Sequence, residues 1–118
     1  MPSGSLPRTC LYVPTNNTVY TVLNGSNQVI TINPVTNTTG TTISVGTNPT
    51  SMAFDVNSNT LYVTNLSTDN VSVIDINTNT VVKTITVGDG PRGIAYDTKY
   101  DRIYVENSIS NTVSVLCT

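Results

Sequence analysis

The sequence lacks histidine and tryptophan, and only 5 of its 118 residues are lysine or arginine. Without histidine, a Ser-His-Asp triad, a Cys-His dyad and a histidine-ligated metal site are excluded. Five basic residues cannot supply the phosphate-binding stripe of a nucleic-acid-binding protein, so we expect no nucleic-acid partner. No stretch approaches the roughly 20 consecutive apolar residues of a membrane-spanning helix, so we predict no membrane span.

Threonine, asparagine and valine dominate what is present. The chain is 37% hydrophobic and 10% charged, with a formal net charge of −2. Val, Ile, Thr and Tyr favour a pleated, half-buried surface, while Asn, Gly and Pro favour turns. No segment shows a sustained apolar period of 3.6 residues. The length suits one domain, residues 1–118, and the composition predicts an all-β fold.

An internal repeat of 42 residues runs through this domain. Pro7, Pro49 and Pro91 follow one another at that interval, and so does a column of tyrosines. The tyrosine column comprises Tyr20, Tyr62 and Tyr104. A period of about 40–45 residues is typical of a four-stranded propeller blade. We interpret the tyrosine column as packing between blades.

Each repeat predicts four short antiparallel strands separated by turns rich in Asn, Asp and Gly. The second copy predicts strands at 51–55, 61–65, 71–76 and 81–87, and Pro91 lies ahead of the next innermost strand. Blade 1 would span about 7–48, blade 2 about 49–90 and a partial blade 3 about 91–118. The third outermost strand has no residues to form it, which leaves about two and three-quarter blades.

The segment Leu61-Tyr62-Val63-Thr64-Asn65 resembles the signature of the YVTN β-propeller repeat. The first copy departs from it at 19–23, and the third departs mildly, as Ile-Tyr-Val-Glu-Asn at 103–107. The resemblance implies repeats of the kind found in bacterial and archaeal surface and surface-layer proteins. It therefore implies a scaffold outside the cell and no particular reaction.

Two cysteines lie near opposite ends of the chain, Cys10 and Cys117. One interpretation is a disulfide that closes a ring within one chain or links successive copies, as suits an oxidising compartment. A bridge within one blade is geometrically poor, because first and third strands are not neighbours. The alternative is that Cys10 is a small core residue, since it aligns with Met52 and Ile94.

Five Asn-x-Ser/Thr sequons are candidates for glycosylation in a secreted protein. Asn37 is the best of them, because it falls in a predicted turn. The others are Asn16, Asn24, Asn65 and Asn70. In a chain this rich in Asn and Thr, most sequons are also expected by chance.

Two arginines occupy the same repeat position, at the start of the innermost strand. Arg8 and Arg92 could contact an anion near the mouth of a central channel, a location taken from fold analogy. The alternative is a structural role, such as pairing with Asp89 or Asp97.

Two Asp-x-Asn-x-Asn stretches, beginning at Asp55 and Asp75, imitate the opening of a calcium loop. Both lack the glycine and glutamate that complete such a loop, and both coincide with predicted turns. We therefore predict no metal site and no cofactor.

These observations favour a non-enzymatic extracellular protein whose repeats build a propeller, a surface lattice or a fibre. The short loops, the shortage of acidic groups and the similarity of the copies all argue against a catalytic site. Because the outer faces of the terminal blades carry apolar side chains, we expect self-association, and a cell-surface protein or glycan is a further partner. The alternatives are a ligand-binding or enzymatic propeller with its site at the channel mouth, and an excised or engineered repeat fragment.

Overall fold

The computed structural model describes residues 6–117, which form eleven β-strands and no helix. This confirms the predicted all-β fold of four-stranded antiparallel blades. Within the same residues, no helix is long and apolar enough to span a membrane. In chain order the strands are β1 (Pro7–Val13), β2 (Thr18–Leu23), β3 (Gln28–Asn33), β4 (Thr38–Ser44), β5 (Pro49–Asp55), β6 (Thr60–Asn65), β7 (Asn70–Asp75), β8 (Thr80–Thr86), β9 (Pro91–Asp97), β10 (Arg102–Asn107) and β11 (Thr112–Cys117).

The strands form three antiparallel sheets in which sequence neighbours are also spatial neighbours. Blade 1 consists of β1 to β4, blade 2 of β5 to β8, and blade 3 of β9 to β11. The first strand of each blade is its innermost one. Side chains link these strands from blade to blade, since Thr9 Oγ1 donates to the Thr50 carbonyl at 2.9 Å. The innermost strands therefore lie side by side, as they do around the axis of a propeller.

Every hairpin within a blade turns through an asparagine or aspartate with positive φ. These residues adopt φ values between 49° and 59°, a region that Asn and Asp tolerate better than other non-glycine residues. They are Asn17, Asn27, Asn37, Asn59, Asp69, Asn79, Asp101 and Asn111. The abundance of Asn in the sequence is thus explained by the number of tight turns that the meander requires.

The innermost strands begin two residues earlier than predicted, because each includes the proline that was expected to precede it. Pro49 is the first residue of β5, and Pro91 is the first residue of β9. An innermost strand is an edge strand of its sheet, so a missing N–H at its first residue costs no ladder hydrogen bond. Directly after Pro49 the register shifts by one residue, which leaves Thr50 bulged.

Blade 2 buries both of its faces against its neighbours. Val71 and Val73 lie in the cluster between blades 2 and 3, while Ile74 and Ile76 lie in the cluster between blades 1 and 2. This division of the side chains at 71–76 between two faces is the one expected from strand alternation. In the tyrosine column, Tyr20 and Tyr62 are buried in these same two clusters, in keeping with packing between blades.

Blades 1 and 3 each leave one face without a neighbouring blade among the described residues. The blade 3 open face carries the side chains that repeat the packed face of blade 2, and Val113 on it is 61% exposed. The blade 1 open face carries Tyr12, which is 52% exposed. We define the blade 3 open face by Ala95, Tyr104, Glu106, Val113 and Val115, and the blade 1 open face by Cys10, Tyr12, Val19 and Ile32.

Candidate functional site

The three innermost strands, β1, β5 and β9, lie side by side at the inner rim. A bulge in each blade sets one residue out of register with the neighbouring strand. In blades 1 and 2 the bulged residues are Arg8 and Thr50, and in blade 3 the register shift falls opposite Arg92. Both arginines are exposed at this rim. Because β5 lies between β1 and β9, a single chain does not bring these two arginines next to each other.

Threonine hydroxyls join the packed part of this rim. Thr50 Oγ1 and Thr64 Oγ1 lie 3.0 Å apart on blade 2. Both point towards blade 3, since Thr64 Oγ1 donates to the Arg92 carbonyl at 3.2 Å. Thr50 Oγ1 also lies 3.3 Å from that carbonyl. These contacts determine how closely the first residues of β9 approach the first residues of β5.

Blade 3 replaces this threonine pair with charged residues. Arg92 and Glu106 occupy the repeat positions of Thr50 and Thr64. Glu106 is exposed and lies over the backbone of the residue after Arg92, because a Cβ built on Gly93 would be 3.6 Å from Glu106 Oε2. A cavity of about 320 Å³ on the blade 3 open face is lined by Glu106 and Tyr104, among other residues. The inner rim of blade 3 thus carries a carboxylate beside the first residues of β9, the second of which is Arg92.

Sequence analysis identified Arg8 and Arg92 but missed Glu106. The signal was present, because the third copy of the repeat reads Glu where the second copy has Thr64. A charged residue that interrupts a repeat at the inner rim is an indication of a site.

Two tyrosine hydroxyls, by contrast, form hydrogen bonds across the junctions between blades, those of Tyr20 and Tyr96. Tyr20 donates to Asn79 Oδ1 at 2.6 Å, across the junction of blades 1 and 2. Burial raises the pKa of Tyr20 and of Tyr62 above the ordinary value. The hydrogen bond from the Tyr96 hydroxyl to Asp101 Oδ1 raises the pKa of Tyr96.

Both cysteines are exposed free thiols, Cys10 on β1 and Cys117 on β11. They lie in different blades, at the two ends of the repeat array. The disulfide within or between chains stays a prediction.

One of the five sequons is incompatible with the fold. Asn65 is fully buried, and its amide nitrogen donates to Ser72 Oγ at 3.0 Å. The folded chain therefore has no room for a glycan on this side chain. Asn37 and Asn16 are exposed, while Asn24 and Asn70 are half-buried. Glycosylation at these four residues stays a prediction.

The two calcium-like stretches serve as turns. Asp55 Oδ1 accepts a hydrogen bond from the Asn57 backbone N–H at 2.9 Å, and Asp75 Oδ1 does the same for Asn77. These are Asx turns, in which the carboxylate caps its own hairpin. Residues 6–117 contain no group of three or more Cys, Asp or Glu side chains arranged to hold a metal ion.

Comparison with known proteins identifies related propellers. The family model described as "Lactonase, 7-bladed beta-propeller" matches residues 46–118. No curated protein sequence matches the chain. Hydrazine synthase of Kuenenia stuttgartiensis is structurally similar, with a TM-score of 0.89 and 26% identity over 99% of this chain and 34% of that chain.

Two solved structures similar to this chain are described as lactonases. A proposed 6-phosphogluconolactonase of Bacteroides fragilis has a TM-score of 0.84 and 18% identity, over 98% of this chain and 35% of that chain. A periplasmic gluconolactonase of Pseudomonas aeruginosa has a TM-score of 0.84 and 21% identity, over 98% of this chain and 36% of that chain. The chain spans about a third of the length of these structures.

These findings correct two predictions and sharpen a third. The match to a lactonase family contradicts both the non-enzymatic structural role and the expectation that the chain belongs to no enzyme. The β-propeller assignment is confirmed, but the matching family is not the YVTN repeat family. The absence of histidine was given too much weight, since it excludes only those sites that depend on histidine.

Proposed function

Because this chain belongs to the family of seven-bladed β-propeller lactonases, we propose that it contributes one side of an active site that hydrolyses a lactone, a cyclic ester. The observation that carries the proposal is the replacement of the Thr50 and Thr64 pair by Arg92 and Glu106 at the channel mouth. A carboxylate can act as a general base and a guanidinium can stabilise an oxyanion, so this pair could serve such a hydrolysis without histidine.

Glu106 is the proposed general base. Its carboxylate takes a proton from a water molecule, whose oxygen attacks the carbonyl carbon of the lactone. The ring C–O bond then breaks, and the alkoxide that leaves takes the proton back from Glu106. The product is a hydroxy acid, and Glu106 returns to its ionised form. No other reactant is required.

Arg92 is proposed to stabilise negative charge on the substrate and on the reaction intermediate. A guanidinium beside the reacting carbonyl stabilises the oxyanion of the tetrahedral intermediate, and it also binds a carboxylate or phosphate substituent in a bidentate manner. A lactone that carries an anionic group is therefore the preferred class of substrate. The similar solved structures include a 6-phosphogluconolactonase and a gluconolactonase, which supports testing both an anionic and a neutral lactone.

We also propose that the protein acts outside the cytoplasm. The resemblance of its second repeat to YVTN sequences supports this location, as does the presence of two exposed cysteines. One of the similar solved structures is a periplasmic enzyme, which is compatible with it.

The proposed activity is tested with glucono-δ-lactone and its 6-phosphate, each followed against the spontaneous hydrolysis in the same buffer. We expect Glu106→Gln to lower kcat by roughly 100-fold or more, because general base catalysis is worth about 10²–10⁴ in rate. Arg92→Met should raise KM more for the phosphorylated substrate than for the neutral one.

Asp89→Asn is the matched control, since it removes the same charge from an exposed residue in the loop before β9. It should leave both kinetic constants unchanged. A wild-type rate no faster than that of the buffer, or a Glu106→Gln variant as fast as the wild type, would contradict the proposal.

A further inference from the structure

We propose that two threonine hydroxyls of blade 2 position Arg92 of blade 3 for the anionic group of the substrate. These threonines, Thr50 and Thr64, are called the hydroxyl clamp below. They are positioning residues, because they act through the backbone of Arg92 and touch no reacting atom. This role rests on the proposed function, since it concerns the same arginine. The clamp itself belongs to the junction of blades 2 and 3, which the described residues contain in full.

Arg92 lies in a β-bulge of blade 3. The register between β9 and β10 shifts at this point, so that Arg92 and Gly93 together face the single residue Glu106. A bulge interrupts the hydrogen-bond ladder and changes the direction in which a side chain points. The bulge therefore brings the proposed base and the proposed cation to the same place. How well the two groups are oriented depends on what holds the bulge.

The hydroxyl clamp supplies hydrogen-bond donors to the Arg92 carbonyl from the neighbouring blade. Thr64 Oγ1 lies 3.2 Å from the carbonyl oxygen, and Thr50 Oγ1 lies 3.3 Å from it. A hydroxyl donates one proton, whereas a carbonyl oxygen has two lone pairs, so both hydroxyls can be directed at the same oxygen. The bulge that carries Arg92 is thus held across the junction by blade 2.

Thr64 is itself held in place from two sides. Its side chain is fully buried, and its Oγ1 accepts a hydrogen bond from the Ser51 backbone N–H at 3.1 Å. Through this one hydroxyl, β6 is joined both to β5 of its own blade and to β9 of the next blade. A side chain that packing and hydrogen bonds hold in one rotamer is what a functional group needs behind it to stay oriented.

The junction of blades 1 and 2 has the same arrangement in a simpler form. Thr50 is the bulged residue of blade 2, and its carbonyl accepts a hydrogen bond from Thr9 Oγ1 of blade 1 at 2.9 Å. In blade 1, Val22 stands at the repeat position of Thr64 and has no hydroxyl. The hydroxyl of Thr64 is therefore an addition at the junction where the bulged residue is an arginine.

Titration with inorganic phosphate, followed by NMR, tests the clamp without a lactone. The Nε–Hε signal of Arg92 reports anion binding, and the amide signal of Gly93 reports hydrogen bonding to the Arg92 carbonyl. We expect phosphate to shift the Arg92 signal of the wild-type chain. Thr64→Val should move the Gly93 signal and raise the Kd for phosphate roughly 3- to 10-fold, the factor that one hydrogen bond is worth. Thr64→Ser keeps the hydroxyl and should restore both.

Thr31→Val is the matched control. Thr31 is buried in blade 1, and its Oγ1 accepts a hydrogen bond from the Thr41 backbone N–H at 2.7 Å, so this variant loses a similar hydrogen bond in another blade. It should leave the Kd for phosphate unchanged. Thr50→Val is the second test variant, because half-buried Thr50 tolerates the change if Thr64→Val does not fold. It should raise the Kd in the same direction.

Hydrolysis provides a second readout. The preference for glucono-δ-lactone 6-phosphate over glucono-δ-lactone, measured as the ratio of the two kcat/KM values, should fall roughly 3- to 10-fold in Thr64→Val. It should recover in Thr64→Ser. A general loss of folded structure would lower both values alike and leave the ratio unchanged.

Four results would overturn the positioning role. They are phosphate that does not shift the Arg92 signal, a Kd that Thr64→Val and Thr50→Val leave at the wild-type value, a Thr64→Ser variant as weak as Thr64→Val, and an unchanged ratio of kcat/KM. Phosphate binding that depends on the clamp in a chain that hydrolyses no lactone would instead reject the proposed function and keep the clamp as part of an anion site.

Discussion

Blades 2 and 3 share one sequence pattern, yet they differ in how much of it they bury. Val71 of blade 2 is fully buried, whereas Val113 at the same repeat position of blade 3 is 61% exposed. Both valines lie on the third strand of their blade, β7 and β11, and both strands pair in the same register with the second strand. The difference arises from neighbours that blade 3 lacks among the described residues, namely a facing blade and a fourth strand beside β11. In a propeller, burial is therefore a property of junctions and not of the individual sheet.

The same comparison separates structural from functional substitutions. Where the rim is packed, blade 2 has the small hydroxyl side chains of Thr50 and Thr64. Where it is open, blade 3 has Arg92 and Glu106. A threonine pair suits a tight junction, because each hydroxyl satisfies a neighbouring polar atom. A charged pair requires solvent, a substrate or an opposite charge.

The largest effect is expected in the core of the middle blade. Leu61 is fully buried between blades 1 and 2. Leu61→Ala should lower the free energy of unfolding by roughly 2–5 kcal/mol, the range for buried leucines truncated to alanine. Leu116 of blade 3 is half-buried, so Leu116→Ala should lower the free energy of unfolding by less than half as much. Urea unfolding measures both, and equal losses would contradict the contrast between the blades.

The next largest effect on stability should come from replacing a glycine by alanine, and it should differ between Gly46 and Gly93. A Cβ on Gly46 would lie 2.6 Å from Asn65 Cγ and 2.5 Å from Thr68 Oγ1, so Gly46→Ala forces the β6–β7 turn to move. We expect a loss of roughly 1–3 kcal/mol, as for overpacking in general. On Gly93 the nearest atom, in Glu106, would be 3.6 Å away, and Gly93→Ala should be neutral. Thermal unfolding of the two variants makes the comparison, and a stable Gly46→Ala protein would refute it.

The sequence allowed the fold to be predicted to within a few residues, because the repeat aligns three copies of every strand and turn. It could not show that Pro49 lies inside β5, since that depends on the strand being at an edge. It also could not show that Asn65 is buried, because an asparagine in a sequon looks accessible until the junction with the preceding loop is known. Glu106 was visible as a departure from the repeat, but only its position on the inner rim supports the proposed role as a general base.

A smaller effect should come from the hydrogen bond across the junction of blades 1 and 2. Asn79 has a positive φ and accepts the Tyr20 hydroxyl at 2.6 Å. Asn79→Gly keeps the turn but removes this bond, at a cost of roughly 0.5–1.5 kcal/mol. Asn59→Gly is the matched variant, because Asn59 has the same turn conformation in the same blade. Identical unfolding free energies for the two variants would mean that the Tyr20 contact contributes nothing.

The smallest effect is a dependence of stability on high pH. Burial raises the pKa of Tyr62 above its ordinary value of 10.0. The folded state therefore holds this proton more tightly, so the stabilisation is complete below pH 10 and is lost as pH rises through the folded value. Tyr62→Phe should make unfolding less sensitive to pH above 10. Tyr100→Phe, at an exposed residue, is the control, and a pH profile unchanged by Tyr62→Phe would contradict the expectation.

The reactivity of a thiol tests most directly whether a neighbouring blade determines burial. Cys10 is exposed on the blade 1 open face, whereas Met52, at the same repeat position of blade 2, is 6% exposed in a junction. In a Cys117→Ser variant, Cys10 should react rapidly with a thiol reagent, whereas the new thiol in a chain that carries Cys10→Ser, Met52→Cys and Cys117→Ser should react much more slowly. Equal reaction rates in the two folded variants would contradict the account.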